Sequence, residues 1–81
     1  MSNLMTPDSI LDATGLQCPM PLLKTKLALR VLTSGQILKV IATDSGSQQD
    51  IPRYLEKTNH RLLSHTNESR GEFTFMIVCG E

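Results

Sequence analysis

A cysteine followed by two prolines is the stretch of this sequence with the clearest chemical potential. Cys18 stands directly before Pro19, and Pro21 follows two positions later, ahead of a long apolar run. Proline is favoured at the start of a helix because its missing N–H has no intrahelical partner there. The residue before a proline is pushed away from the helical region, so Cys18 is predicted to be the helix N-cap. Gly15 supplies the conformational freedom for the turn that leads into this cap.

This position predicts a reactive thiol. A sulfur at the positive end of a helix macrodipole is stabilised as the thiolate, which is the nucleophilic form. No carboxylate is predicted beside Cys18 apart from Asp12, which is near it in sequence. We therefore predict that the pKa of Cys18 lies below that of a free thiol. The alternative is a buried structural cysteine that merely precedes a helix.

The elements around this motif are predicted to follow the order β-α-β-α-β-β. Apolar periodicity and turn residues place four strands and two helices at residues 9–13, 20–32, 36–42, 50–59, 61–67 and 73–79. Pro52 limits the second helix, which is predicted to begin near Asp50 as its cap. A hairpin turn is predicted at residues 69–71. Residues 1–8 are predicted to form a loose tail before a single domain of residues 9–81.

Connection rules order the strands of the predicted sheet. A β-α-β crossover is nearly always right-handed, which places both helices on one face, and the hairpin makes the last strand antiparallel. Apolar strands belong inside and polar strands at the edges, which predicts an α+β, two-layer sandwich with strand order 1-2-4-3. Cys18 and Asp44 then share one end of the sheet. Cys79, His60 and His65 fall at the far end or the opposite edge, so no histidine is predicted to pair with Cys18 in a catalytic dyad.

The first helix carries two apolar stripes, and a sheet buries only one of them. The first stripe consists of Leu22, Thr25, Ala28, Leu29 and Leu32, and the second of Met20, Leu23, Leu27 and Val31. We predict that the second helix covers part of the second stripe. Lys24, Lys26 and Arg30 either steer a partner protein or form a solvated helix face, and Lys26 and Arg30 are predicted to face water.

Composition excludes several classes of function. Eight basic and eight acidic residues cancel, whereas proteins that bind nucleic acid through a broad surface are usually basic. Two cysteines are too few for a disulfide scaffold, and their spacing does not suggest zinc. No apolar run approaches the roughly 20 residues that span a bilayer, and the first residues lack a signal-peptide pattern. The sequence predicts a cytoplasmic protein with no metal, no cofactor and no membrane association.

The pattern resembles the TusA/SirA family of small sulfur-carrier proteins from about residue 10 to the last strand. The matching residues are Asp12, Gly15, Cys18-Pro19-Met20-Pro21, Gly35, Thr43-Asp44 and Asp50-Ile51-Pro52. The resemblance implies the same sandwich and assigns the sulfur-accepting role to Cys18. Family members accept sulfur as a persulfide from a cysteine desulfurase or a related donor and pass it to partner proteins. In many bacteria the route ends in 2-thiouridine of tRNA; other members are associated with sulfur oxidation or molybdenum-cofactor supply.

Two functional hypotheses follow. The first is a sulfurtransferase that acts as a persulfide carrier through Cys18, and the second is a non-catalytic regulatory or interaction module that uses the surface of the first helix. Asp12 and Asp44 are interpreted as turn or capping residues rather than direct participants. Cys79 is interpreted as a packing residue. The chain ends without the basic residues that often close family members, so a partner contact made by that basic end is not carried over.

Overall fold

Four strands and two helices make up the chain between its described ends. The computed structural model describes residues 6–68 and 71–80. The elements are β1 (Ser9–Ala13), α1 (Met20–Arg30), β2 (Ile37–Ala42), α2 (Ser47–Glu56), β3 (Arg61–Asn67) and β4 (Phe73–Val78). The bounds of β1 and β3 match the prediction. Residues 1–5 of the predicted tail, Ser69 and Arg70 of the predicted hairpin turn, and Glu81 lie outside the described residues.

The four strands form one mixed sheet in the order β1-β2-β4-β3, as predicted. β1 and β2 run parallel, and β4 runs antiparallel to both of its neighbours. The interior position of β2 follows from its composition, since it is apolar on both faces. The polar strand β3 lies at an edge, where half of its hydrogen-bonding groups face solvent.

Both helices pack on the same face of this sheet, which confirms the two-layer α+β sandwich. Alternate residues of β2 and β4 point to that face because side chains of a strand alternate between its two sides. The buried core joins residues of α1, β2, α2, β4 and the position after β4: Leu29, Leu38, Val40, Ile51, Leu55, Phe75, Ile77 and Cys79.

The second apolar stripe of α1 faces away from the sheet and stays exposed. Its exposed fractions run from 40% at Met20 to 80% at Val31, so the prediction that α2 covers part of it is wrong. The reason is the side on which α2 packs. A cavity between the helices is lined by Leu22, Lys26 and Tyr54, which places α2 against the side of α1 that carries Leu22 and Lys26, beside the stripe and not over it.

Helix α2 begins at Ser47 rather than near Asp50, so the predicted cap is wrong. Gly46 is the N-cap, and the Asp50 amide donates to its carbonyl at 2.9 Å. Pro52 lies inside the helix and removes one intrahelical hydrogen bond. Burial offsets that loss, because one face of the helix packs on the core at every turn. The buried residues of α2 are Ser47, Ile51 and Leu55.

The other element boundaries differ by one to three residues from those predicted. Helix α1 ends at Arg30 and α2 at Glu56, since the last N–H groups bond to carbonyls three residues back and tighten each final turn. Asp8, in the predicted loose tail, is held to β2: its amide and carboxylate bond to the backbone of Ile37 at 2.7 and 2.8 Å. No helix in the described ranges is long and apolar enough to cross a membrane.

Candidate functional site

The turn between β1 and α1 presents Cys18 at the end of the sheet. Gly15 adopts a φ of +82°, which favours glycine, and its amide donates to the Thr43 hydroxyl at 2.9 Å. The predicted cap is displaced by one residue: Pro19 is the N-cap, because its carbonyl accepts the first helical bond, from Leu23 at 3.0 Å. Cys18 precedes the cap, joined to Pro19 by a cis peptide bond.

The Cys18 thiol is exposed, and a carboxylate lies beside it. The thiol donates a hydrogen bond to Oδ2 of Asp50 at 3.4 Å. This bond raises the pKa of Cys18, with desolvation and the negative charges of Asp50 and Asp44 acting in the same direction. The prediction of a lowered pKa is therefore wrong. The helix start favours the thiolate, but these carboxylates oppose it at shorter range.

The β2–α2 loop and the first turn of α2 bring Asp44 and Asp50, respectively, close to the thiol. A methyl group placed on Gly46 would lie 3.0 Å from Oδ2 of Asp44 and 3.8 Å from both Oδ2 of Asp50 and Cβ of Cys18. The side chains of Asp44, Asp50 and Cys18 therefore converge around Gly46, which has no side chain of its own. Oδ2 of Asp44 is buried and accepts no hydrogen bond from any described residue.

Asp50 contacts the Cys18 thiol, although the sequence predicted it only as a helix cap. It stands 32 positions from Cys18 and was interpreted as a helix cap, so no local pattern connected the two. A signal was present, since Asp50 belongs to the Asp50-Ile51-Pro52 segment on which the family resemblance partly rests. Its placement one turn inside α2 points its carboxylate toward the β1–α1 turn.

Asp12 has the turn role that was predicted for it. Its Oδ1 accepts hydrogen bonds from the amide and the hydroxyl of Thr14, at 3.1 and 2.7 Å. These two bonds lower the pKa of Asp12, because they favour the ionised form. Across residues 6–68 and 71–80, no three histidine, cysteine or acidic side chains are placed to hold a metal ion together.

The second cysteine is buried at the other end of the helix layer. Cys79 is 2% exposed, and its thiol lies 3.6 Å from the carbonyl oxygen of Leu29 and 3.7 Å from that of Leu32. Leu29 lies in the last turn of α1, where its carbonyl also accepts the Leu32 amide at 3.3 Å, and Leu32 lies two residues beyond the end of the helix. The structure thus supports a packing role for Cys79.

Both histidines are engaged away from Cys18. Nδ1 of His60 accepts a hydrogen bond from the Gly80 amide at 2.9 Å, beside the chain end that follows β4. His65 stacks on the Phe75 ring with centroids 4.5 Å apart, on the edge strand opposite β1. The arrangement offers Cys18 a carboxylate as neighbour but no imidazole.

The three basic residues of α1 line one shallow groove on the exposed side of the helix. Lys24 and Arg30 are exposed, whereas Lys26 is partly buried, with Nζ 4.9 Å above the centre of the Tyr54 ring. The prediction that Lys26 simply faces water is therefore wrong. The groove has a volume of about 310 Å³, and its lining combines the cations with apolar side chains: Met20, Leu23, Lys24, Lys26, Leu27 and Arg30.

Comparison of the sequence with known proteins identifies one family. Residues 9–78 match the family model described as Sulfurtransferase TusA. The chain is 46% identical over 72 residues to the sulfur carrier protein TusA of Pseudomonas putida strain F1, covering 89% of each chain. It is 44% identical over 70 residues to the TusA of Allochromatium vinosum, covering 86% of this chain and 91% of the relative.

Among solved structures, the fold is similar to that of a SirA-like protein from Desulfitobacterium hafniense. The TM-score is 0.78 at 26% sequence identity, covering 90% of this chain and 99% of the other. The sheet order and the position of the two helices thus agree with a solved relative, and the sequence matches extend from β1 to β4. The chain belongs to the TusA family of sulfur carrier proteins.

Proposed function

We propose that Cys18 carries sulfur as a persulfide, taken from a cysteine desulfurase or a related donor and passed to an acceptor protein. In loading, Sγ of Cys18 attacks the terminal sulfur of the donor persulfide. A new S–S bond forms at Cys18, the S–S bond of the donor breaks, and the Cys18 proton is transferred to the donor sulfur. Unloading repeats this exchange with an acceptor thiol as the attacking group.

The exposure of Cys18 is the observation that carries this proposal. A sulfur carrier needs a thiol that a partner can reach, and Cys18 is exposed where Cys79 is buried. Sulfur exchange requires neither a metal nor an imidazole base beside the thiol, and both histidines are engaged elsewhere. The match of the family motif to Cys18 supports the same assignment.

Incubation with a cysteine desulfurase and cysteine is expected to add one sulfur atom to Cys18. Intact-protein mass spectrometry measures the addition, and peptide mapping after alkylation locates it. A Cys79→Ser variant is the matched control and should load to the same extent. A protein that gains no sulfur under conditions where another TusA protein does would instead favour the interaction module.

We also propose that the groove on α1 docks the partner proteins. It is defined by the exposed apolar stripe and by Lys24, Lys26 and Arg30, and it begins two residues after Cys18. An exposed apolar stripe of this kind marks a contact surface, and its cations would attract an acidic rim on the partner and speed encounter. The interaction-module hypothesis would use the same surface.

Lys24→Glu is expected to raise the donor concentration needed for half-maximal loading, with little change in the maximal rate. Charge reversal at a rim weakens encounter without touching the reacting sulfur. Lys57→Glu, an exposed reversal just after the other helix, is the control and should load as the wild type does. If both variants needed the same donor concentration for half-maximal loading at low salt, the partner would dock on a different surface.

The cellular setting follows from the same proposal. We place the carrier in the reducing cytoplasm, where a free thiol persists, with 2-thiouridine of tRNA as the end of its route. Nucleoside analysis of tRNA from a strain that lacks this chain tests that destination directly. Sulfur oxidation and molybdenum-cofactor supply are the other destinations, and unchanged 2-thiouridine would favour them.

A further inference from the structure

Among residues 6–68 and 71–80, the charged groups that face the Cys18 thiol are the carboxylates of Asp50 and Asp44. Asp50 reaches it from α2 and Asp44 from the β2–α2 loop. The first turn of α1 carries no acidic residue, and Asp12, at the end of β1, is engaged with Thr14. No ion pair to either Asp44 or Asp50 is present among the described residues. The thiol therefore meets two carboxylates that form no ion pair with any cation in the described part of the chain.

The two carboxylates have opposite effects on the stability of the empty and the loaded carrier. In the empty carrier, the S–H group of Cys18 donates to Asp50. Loading turns Sγ into the inner sulfur of a persulfide, which has no proton to donate, so that hydrogen bond is lost. A persulfide is also more acidic than a thiol, so the loaded group is an anion at neutral pH. It then stands beside two further negative charges and is destabilised by them.

We propose that Asp50, supported by Asp44, sets the direction of sulfur transfer by stabilising the empty thiol form of Cys18 and destabilising the loaded persulfide. The exchange is balanced: Cys18–SH and a donor persulfide R–S–SH give Cys18–S–SH and R–SH, with no net oxidation. The carboxylates shift this equilibrium toward the empty carrier, and so make the loaded carrier a ready donor. This inference rests on Cys18 being the sulfur carrier.

The first test needs no sulfur donor. The rate of Cys18 alkylation is measured as a function of pH in a Cys79→Ser background. It reports the fraction of Cys18 that is present as the thiolate. Asp50→Asn should move the midpoint to lower pH and speed alkylation at neutral pH, because lowering the thiol pKa by one raises the thiolate fraction about tenfold at a pH below both midpoints. Asp44→Asn should act in the same direction and more weakly, because only its charge acts on the thiol. A midpoint that stays or rises in Asp50→Asn overturns the proposal.

The second test measures the exchange equilibrium itself. The same variants are equilibrated with glutathione and glutathione persulfide, and the loaded fraction is read by mass spectrometry. Asp50→Asn should hold several-fold more sulfur than the wild type and release it more slowly to excess thiol. Asp50→Glu, which keeps the charge, should stay near the wild-type value. Glu56→Gln, the same charge change at an exposed position at the end of α2, should have no effect.

The two proposals fail in different ways. If the wild-type protein takes up no sulfur from either donor, Cys18 is not the carrier and both proposals fall. If the wild type loads normally while Asp50→Asn loads no more than it does, only the role of Asp50 falls. A circular dichroism melt of each variant confirms that the fold is kept, and the Asp50→Glu comparison separates lost charge from lost packing.

Discussion

A Cys18→Ser variant is expected to take up no sulfur while melting at the temperature of the wild-type protein. Loss of transfer follows from chemistry, because a hydroxyl cannot form a persulfide. The fold should survive because Cys18 is exposed and lies outside α1, one residue before its N-cap. The serine hydroxyl can also donate to Asp50 as the thiol does. Exposed substitutions of this kind usually change stability by less than about 0.5 kcal/mol.

Mass spectrometry after incubation with a desulfurase and thermal melts followed by circular dichroism check the two halves of this prediction. Cys79→Ser is the control, and its hydroxyl can donate to either of the two carbonyls that the buried thiol contacts. If Cys18→Ser still gained sulfur, the carrier would have to be Cys79. If it unfolded, Cys18 would be a structural residue after all.

Phe75→Ala is expected to have the largest effect on stability. Phe75 is fully buried on the central strand β4, opposite Val40, and its ring also stacks on His65. Truncating a buried phenylalanine costs about 3–5 kcal/mol through lost transfer free energy and the cavity left behind. Since a domain of this size is stable by about 5–15 kcal/mol, the melting temperature should fall by at least about 12 °C.

Urea titration and calorimetry measure this loss of unfolding free energy. Val31→Ala provides the comparison, since it also shortens an apolar side chain but at a position that is 80% exposed. We expect Val31→Ala to change stability by less than about 0.5 kcal/mol. A loss below about 1 kcal/mol for Phe75→Ala would mean that the core does not depend on this ring.

Local pattern was enough to predict the order of elements and the sheet. Alternation and turn residues predicted β1 and β3 with their observed bounds, and Gly15 has a left-handed φ, +82°, in the turn predicted before α1. Hydrophobicity placed β2 and β4 inside. These inferences succeed because strand periodicity, proline positions and glycine turns act over a few residues, and crossover handedness then leaves few topologies.

Helix boundaries needed the tertiary structure. The position of Pro52 predicted that α2 begins near Asp50. The helix begins at Ser47 instead, because packing against the core stabilises its first turn. The same holds for the apolar stripe of α1: its spacing predicts two apolar sides, but only the position of α2 shows which one stays exposed.

The chemistry of the thiol was decided by distance through space. The sequence predicted Cys18 as the reactive residue and the start of a helix as its setting, which favours the thiolate. Only the fold brings Asp50, 32 positions away, to 3.4 Å from Sγ, with Asp44 close behind. Electrostatic interactions fall with separation and rise as solvent is excluded, so the pKa of a thiol depends on neighbours that sequence order does not reveal.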